Sequence, residues 1–147
     1  MLSQKARYGL RALVELARHD GQVTSGELAV RAGAPRKFLE AILLELARNR
    51  IVVSRRGKFG GYRLAKPAGK ITIGSVVRLI DGPLAPIGCV SKTAYQKCHD
   101  CPYAKKAYCP LQDVMGGVRN AIADILDNHS LEDFISGSRG PRKRSGR

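Results

Sequence analysis

Residues 24–49, TSGELAVRAGAPRKFLEAILLELARN, predict two helices joined by a tight turn. Thr24 and Glu27 have the three-residue spacing of a capping box and open a short first helix. Gly33 suits the left-handed residue that ends a helix, and Pro35 suits the first turn of the next helix. This order is the helix-turn-helix pattern, although any small helical bundle shares its periodicity.

The second helix of the pair is expected to run from about residue 35 to residue 49. One face is apolar and formed by Phe38, Leu39, Ile42, Leu43 and Leu46. Arg36, Lys37 and Glu40 lie near the N-terminus of this helix and off that face. Polar residues at this position are what a helix that reads DNA bases requires.

The residues that follow predict a two-stranded hairpin with a basic tip. Residues 51–54 and 62–64 are short β-type runs, and RRGKFGG at residues 55–61 lies between them. Glycine suits a backbone that turns to positive φ, and arginine on a projecting loop can enter a narrow minor groove. A helix-turn-helix followed by such a hairpin is a winged helix, and an ordinary solvated turn is the plainer alternative.

Two amphipathic segments flank this unit. Residues 3–18 predict a helix that Gly21 ends, and residues 71–81 predict a short helix or a strand leading into one. Their apolar stripes are Ala6, Leu10, Leu13, Val14 and Ala17, then Ile73, Val76, Val77 and Ile80. The expected fold is mainly α with a small β-wing, with residues 1–82 as a winged helix-turn-helix domain.

Beyond that domain lie the chain's four cysteines, spaced C-x8-C-x2-C-x7-C: Cys89, Cys98, Cys101 and Cys109. No apolar run approaches the ~18–20 residues needed to cross a bilayer, and the N-terminal stretch has no signal-peptide pattern. We therefore expect a cytoplasmic protein without a membrane partner. In a reducing cytoplasm, close cysteines indicate metal or redox chemistry, so residues 83–110 are expected to be a sensor loop.

A long helix is expected from residue 111, because apolar residues recur at steps of three or four. They are Leu111, Val114, Met115, Val118, Ile122, Ile125 and Leu126. Such a narrow seam suits pairing with a second copy, and packing on its own domain is the alternative. Residues 111–136 should therefore hold a dimerisation helix and a final turn capped by Ser130 and Asp133. The basic tail, residues 137–147, has nothing apolar to bury and is expected to be disordered.

Charge is distributed unevenly along the chain. The net charge of +14 divides into +10 for residues 1–82, −1 for residues 83–136 and +5 for residues 137–147. A basic front and a near-neutral back favour a polyanion contact at the front. No Ser/His/Asp motif, phosphate loop or pair of catalytic carboxylates is recognisable, and the three histidines are widely spread. We therefore expect a protein that is not an enzyme.

Three stretches resemble the IscR-like winged helix-turn-helix transcriptional regulators, the family that includes NsrR and RirA. They are KARYGLRALVELA at residues 5–17, L-x-x-L-A-R-N-x-I-V-x-S-x-R-G-x-x-G-G-Y-R-L-A-K-P at residues 43–67, and the cysteine segment. The wing pattern R-G-x-x-G-G-Y is the most specific of them. The resemblance extends from residue 1 to about residue 136.

This resemblance implies a homodimeric repressor or activator that binds double-stranded DNA, with long C-terminal helices crossing at the dimer interface. It also implies that the second helix of the motif enters the major groove and the wing arginine, Arg56, the minor groove. Glutamate can accept a hydrogen bond from a cytosine amine, while arginine and lysine suit phosphate or guanine. Carried onto this chain, the resemblance implies DNA contacts at Arg36, Lys37, Glu40 and Arg56. The other cations of the basic wing tip, Arg55 and Lys58, are also expected to contact DNA.

The resemblance further implies an iron–sulfur cluster, which several members hold with three cysteines and a fourth ligand. That ligand comes from a histidine beyond the third cysteine, or from an acidic or histidine residue near the N-terminus. Gln112, Tyr8 and Ala12 occupy those places here, and none is a good ligand. Because a fourth cysteine is present instead, we expect a self-contained site formed by the four cysteines named above.

Three interpretations of this cysteine site remain open. An iron–sulfur cluster, [2Fe–2S] or [4Fe–4S], is favoured, because thiolates suit it and Lys97, Lys105 and Lys106 would offset its charge. Structural zinc would use the C-x2-C half, but the other two cysteines are isolated. A metal-free thiol switch would form a disulfide on oxidation. His99 could replace one cysteine as a ligand.

The expected function is a regulator that senses redox, iron or a reactive small molecule. A change at the cysteines would alter the start of the long helix and hence the spacing of the two recognition helices, which must match half-sites about one helical turn apart. A metal-free disulfide-switch repressor and a zinc-stabilised DNA-binding protein without sensing are the alternatives.

Overall fold

The computed structural model describes residues 2–99, 101–103 and 108–137. Within those ranges it contains six α-helices and one two-stranded antiparallel sheet. In chain order these are α1 Gln4–Ala17, α2 Ser25–Ala32, α3 Arg36–Arg48, β1 Val52–Arg55, β2 Gly61–Leu64, α4 Ile73–Asp81, α5 Pro110–Asp127 and α6 Leu131–Ser136. The prediction of a mainly α fold with a small β-wing is confirmed.

Two predicted features lie outside the described residues. They are the lysines Lys105 and Lys106 of the cysteine segment, and the basic tail after Gly137. A single turn of 3-10 helix, Ala68–Lys70, precedes α4. A second single turn, Gly88–Val90, contains the first cysteine, Cys89.

The helix-turn-helix begins and ends as its capping residues require. The Thr24 hydroxyl accepts the backbone N–H of Glu27 at 3.2 Å, and the Glu27 carboxylate accepts the backbone N–H of Thr24 at 3.0 Å. Gly33 adopts a left-handed φ of 62° after α2. Pro35 caps α3 from outside, one residue before the helix begins. The predicted capping box and glycine turn are thus both present.

The core lies where α1, α2, α3 and α4 meet. Its fully buried large side chains include Leu13, Leu28, Leu39, Ile42, Leu43, Leu46, Ile71 and Val76. Gly9 lets α1 approach α4 closely, since a Cβ there would lie 2.7 Å from Ile80 Cδ1. Phe38 was expected on the apolar face of α3, but it lies at the rim, where it packs edge-to-face against Tyr8 with ring centroids 5.9 Å apart.

The wing is joined to the segment that precedes α2. Strand β1 pairs with β2 from Val52 opposite Leu64 to Arg55 opposite Gly61. Tyr62 of β2 then exchanges two backbone hydrogen bonds with Val23, at 2.8 and 2.9 Å. These bonds fix the hairpin to the helix-turn-helix.

The last helix, α6, returns the chain to the N-terminal core. Ser130 and Asp133 form the predicted capping box at its start. Leu131 is fully buried in the core, and its backbone N–H donates to the Ile71 carbonyl at 3.0 Å. The two ends of the described chain are thereby held in one packed unit.

Helix α5 is half-buried on one side and exposed on the other, and none of its residues is fully buried. Ile122 and Leu126 line an apolar cavity of about 410 Å³ together with Val77 and Leu84. Four other members of the predicted seam are exposed: Leu111, Val114, Val118 and Ile125. The helix therefore packs on its own domain and also keeps an uncovered apolar stripe.

Candidate nucleic-acid interface and cysteine site

The N-terminal turn of α3 presents Arg36 and Lys37 to solvent, with Glu40 half-buried behind them. The Ser25 hydroxyl of α2 donates to Glu40 Oε1 at 2.8 Å, and Arg36 Nε donates to the same oxygen at 3.0 Å. The hydrogen bond from Ser25, followed by that from Arg36, lowers the pKa of the Glu40 carboxyl. Glu40 is therefore an ionised group that ties α2 to α3, and only its second oxygen faces outward without a described donor.

The tip of the wing is a cluster of exposed cations. Arg55, Arg56 and Lys58 are all exposed, and none of the three makes an ion pair within the described part of the chain. No acidic residue lies between Glu45 and Asp81 in the sequence to neutralise them. A concentrated positive charge of this kind suits the phosphate backbone and the narrow minor groove of DNA.

The N-terminal turn of α3 and the wing are connected by a series of contacts. Val23, which pairs with Tyr62, directly precedes the Thr24 cap of α2, and α2 is bonded through Ser25 to Glu40. The wing is therefore linked to α3 through the Val23–Tyr62 backbone pair, the Thr24 cap and the Ser25–Glu40 hydrogen bond. Nothing in the sequence pattern of Val23 indicates this role.

The fold brings the four predicted cysteines to one cavity of about 160 Å³. It is lined by Cys89, Cys98, Cys101, Cys109, Tyr95, Lys97, Tyr103 and Gln112. The sulfur atoms of Cys98 and Cys89 lie 3.6 Å apart. Among the described residues, no group of three or more His, Cys, Asp or Glu side chains is already arranged as a metal cage. The cysteines share a site, but their sulfurs are not set in a ligand geometry.

Crowding changes the acidity of one of these thiols, that of Cys98. The hydrogen bond between Cys98 and Cys89 raises the pKa of the Cys98 thiol, and nearby negative charge at Cys89 and Cys109 adds to the rise. Thiolates held this close would repel one another, so a bound metal cation would stabilise them in this site.

One cysteine forms the start of α5. Cys109 is the N-cap residue, and its sulfur accepts the backbone N–H of Gln112 at 3.4 Å. The side-chain amide of Gln112 also donates to the Cys89 carbonyl at 3.3 Å. Because the Cys109 sulfur caps α5, chemistry at this sulfur acts directly on the first turn of the helix.

Of the other residues that the sequence suggested as ligands or ligand positions, only Gln112 lines the cysteine cavity. Tyr8 packs against Phe38 and Ala12 is fully buried, so neither reaches the cysteines. His99 is exposed and is not among the residues that line the cavity. Gln112, expected only as a poor ligand, links two cysteine-bearing segments, and this bridging role was not predicted.

Comparison with known proteins identifies the family. The sequence profile of Rrf2, described as an iron-dependent transcriptional regulator, matches residues 2–137. The chain belongs to the Rrf2 family. An rrf2-like HTH-type transcriptional regulator of Rhodobacter capsulatus is 42% identical over 141 residues, which cover 92% of this chain and 93% of that one.

Solved structures agree with this assignment. CymR, the global cysteine regulator of B. subtilis, superposes with a TM-score of 0.73 at 29% identity, covering 95% of this chain and 98% of CymR. IscR of T. potens gives a TM-score of 0.71 at 26% identity, covering 99% and 93% respectively. The resemblance to IscR-like regulators is thus confirmed.

Membership of the Rrf2 family defines the general activity. The protein is a winged-helix transcriptional regulator that binds DNA, and it is not an enzyme. No helix among the described residues is long and apolar enough to span a membrane.

Proposed function

We propose that this Rrf2 protein is a cytoplasmic homodimeric regulator whose DNA binding is controlled by an iron–sulfur cluster held by Cys89, Cys98, Cys101 and Cys109. One observation carries the proposal: all four thiols line a single cavity at the N-terminus of α5. That helix also carries the exposed apolar stripe. The cysteine site would therefore lie at the start of the same helix that forms the dimer surface.

The donor chemistry of the cavity supports this occupant. Four soft sulfur donors and a lining lysine, Lys97, match the needs of an anionic cluster, and the family description is iron-dependent. When bound, the cluster would supply one-electron redox chemistry and sensitivity to oxidants. The thiols of this chain would hold it, and the phenol rings of Tyr95 and Tyr103 would limit the access of water.

The exposed stripe of α5 supports a dimer. Its four members, Leu111, Val114, Val118 and Ile125, follow each other at intervals of three, four and seven residues, as along a coiled-coil seam. Two such helices crossing about a two-fold axis would cover these side chains. The two α3 helices would then read two half-sites.

A continuous set of contacts could transmit the state of the cysteines. Loss of the Cys109 cap would loosen the first turn of α5. The far end of α5 is joined to α4 by the Arg78 guanidinium, which donates to both Asp127 oxygens at 2.6 and 2.8 Å. Helix α4 packs on α1, and α1 packs on both helices of the helix-turn-helix. A shift of α5 would therefore re-aim α3 in the major groove.

The controlling experiment measures operator affinity in three states of the wild-type protein: purified anaerobically, oxidised in air, and treated with an iron chelator. A duplex selected from a randomised pool by the wild-type protein serves as probe. We expect affinity to change at least ~10-fold between the first state and the other two. Equal affinity in all three states would support a constitutive DNA-binding protein.

The DNA contacts are tested in the same assay. Arg56→Ala should weaken binding ~10-fold or more, because a buried contact of arginine with the groove is lost. Arg119→Ala, on α5, is the matched control and should bind as the wild type does. Equal effects of the two variants would refute the assignment of the wing.

A metal-free switch is the second candidate, favoured by the 3.6 Å separation of the Cys89 and Cys98 sulfurs. Closing it to the ~2.05 Å of a disulfide needs only a small movement of an exposed loop. With hydrogen peroxide as oxidant, two thiols would give one disulfide and two water molecules. Peptide mapping of the oxidised metal-free protein should then find Cys89 linked to Cys98, and other linkages would count against this candidate.

A further inference from the structure

The wing tip carries a large apolar side chain among its cations. Phe59 is 78% exposed, more than any other aromatic residue that the structure describes. The other two phenylalanines of the chain are less exposed: Phe38 packs against Tyr8, and Phe134 is 46% exposed on α6. Single exposed apolar residues are common on protein surfaces, so the surroundings of Phe59 decide its meaning.

The backbone that carries Phe59 is a tight turn. Gly57 has a φ of 109°, and the Gly60 N–H donates to the Gly57 carbonyl at 3.0 Å. A Cβ at Gly60 would lie only 2.3 Å from the Arg55 carbonyl oxygen. The turn therefore holds Lys58 and Phe59 at its outermost point, and the ring is presented by a defined loop.

The charge around the ring selects its partner. Lys58 Nζ lies 5.7 Å from the centre of the Phe59 ring, and Arg55 and Arg56 are on the same tip. An apolar side chain on a tip that carries three cations, in a stretch of sequence without acidic residues, suits a polyanion that also has an apolar interior. Stacked base pairs between two phosphate backbones provide both features.

We propose that Phe59 is a wedge that inserts between two adjacent base pairs from the minor groove, partly unstacking them and bending the DNA. This proposal rests on the proposed contact between the wing and DNA, and it adds a residue that reads deformability. Apolar wedges act in this way in minor-groove proteins, and pyrimidine–purine steps are the easiest to open. The operator should therefore contain such a step, TA or CA, where the wing lies.

The test uses the selected duplex with 2-aminopurine placed at successive positions of each half-site, because the fluorescence of this base rises when it unstacks. Wild-type protein should raise the fluorescence at one step per half-site. Phe59→Ala should abolish that rise and weaken binding ~10-fold, because the stacking of the aromatic ring on a base is lost. Phe59→Leu retains an apolar wedge and should keep most of the fluorescence rise.

Phe134→Ala removes an exposed phenylalanine of α6, far from the wing in sequence, and should change neither signal. If Phe59→Ala retains the fluorescence rise and the affinity, the wedge is refuted. If the wild type binds the duplex tightly but without any rise in fluorescence, the wedge is refuted while the DNA contact stands. Failure of Arg56→Ala to weaken binding would instead refute the wing contact in the proposed function.

Discussion

Replacing Gly61 by alanine should detach the wing from the segment that precedes α2. Gly61 has a φ of 141°, which L side chains rarely adopt. A Cβ at this position would lie 2.6 Å from the Val23 carbonyl oxygen and 2.7 Å from its carbon. Both neighbours are backbone atoms, so no side-chain rotation can relieve the overlap. Strand β2 must move away from Val23.

The cost follows from what that movement breaks. The positive φ contributes strain of about 1–3 kcal/mol in any residue with a Cβ. Separating Tyr62 from Val23 removes two backbone hydrogen bonds, each worth about 0.5–1.5 kcal/mol. The free energy of unfolding should therefore fall by about 2–6 kcal/mol, a large part of the ~5–15 kcal/mol of a typical domain.

Urea unfolding followed by circular dichroism measures this change, and Gly21→Ala is the matched control. Gly21 has a similar φ of 123° but open space where its Cβ would lie. The control should lose only the strain, so Gly61→Ala should be less stable than Gly21→Ala by about 2 kcal/mol. It should also bind DNA at least ~10-fold more weakly under conditions where it remains folded. Equal stabilities of the two variants would refute the anchoring role of Val23.

Local signals in the sequence predicted the DNA-reading unit well. Thr24, Glu27 and Gly33 determine where α2 begins and ends through contacts within a few residues, and the wing is closed by glycines at its tip. The contacts that orient these parts are remote in sequence. Val23 meets Tyr62 and Leu131 meets Ile71 because of tertiary packing, which no periodicity in either segment reveals.

At the cysteine site, too, the sequence predicted the local feature but not the tertiary contact. Spacing predicted that four cysteines would gather, and they do line one cavity. The bridge from Gln112 to the Cys89 carbonyl depends on how two loops fold together, so it could not be predicted. The periodicity of α5 likewise gives the apolar positions, yet it cannot distinguish Leu126, which faces its own domain, from Val118, which faces outward.

Three further predictions follow from single contacts. Arg78 lowers the pKa of Asp127, so their pair should stabilise the fold above pH ~4 and lose that effect as pH falls through the lowered pKa of Asp127. A double-mutant cycle with Arg78→Met and Asp127→Asn should give a coupling of ~0.2–1 kcal/mol at pH 7, because both groups are partly exposed, and a smaller coupling as pH falls through the lowered pKa of Asp127. Val118→Glu should convert the dimer to monomer in sedimentation equilibrium with unchanged circular dichroism, whereas a monomeric wild type would contradict the proposed seam. Glu40→Ala should relax base preference at one position per half-site, by ~1–3 kcal/mol in a binding-site selection, and an unchanged preference would confine Glu40 to its bond with Ser25.

The most direct test of the iron–sulfur proposal is the metal content of protein purified without oxygen. Iron, acid-labile sulfide and zinc are determined per chain together with the visible absorption spectrum. We predict a coloured protein with about two or four iron atoms and as many sulfides per site, and a Cys98→Ser variant that holds less iron. A colourless protein with neither iron nor sulfide would contradict the claim that these four cysteines hold a cluster.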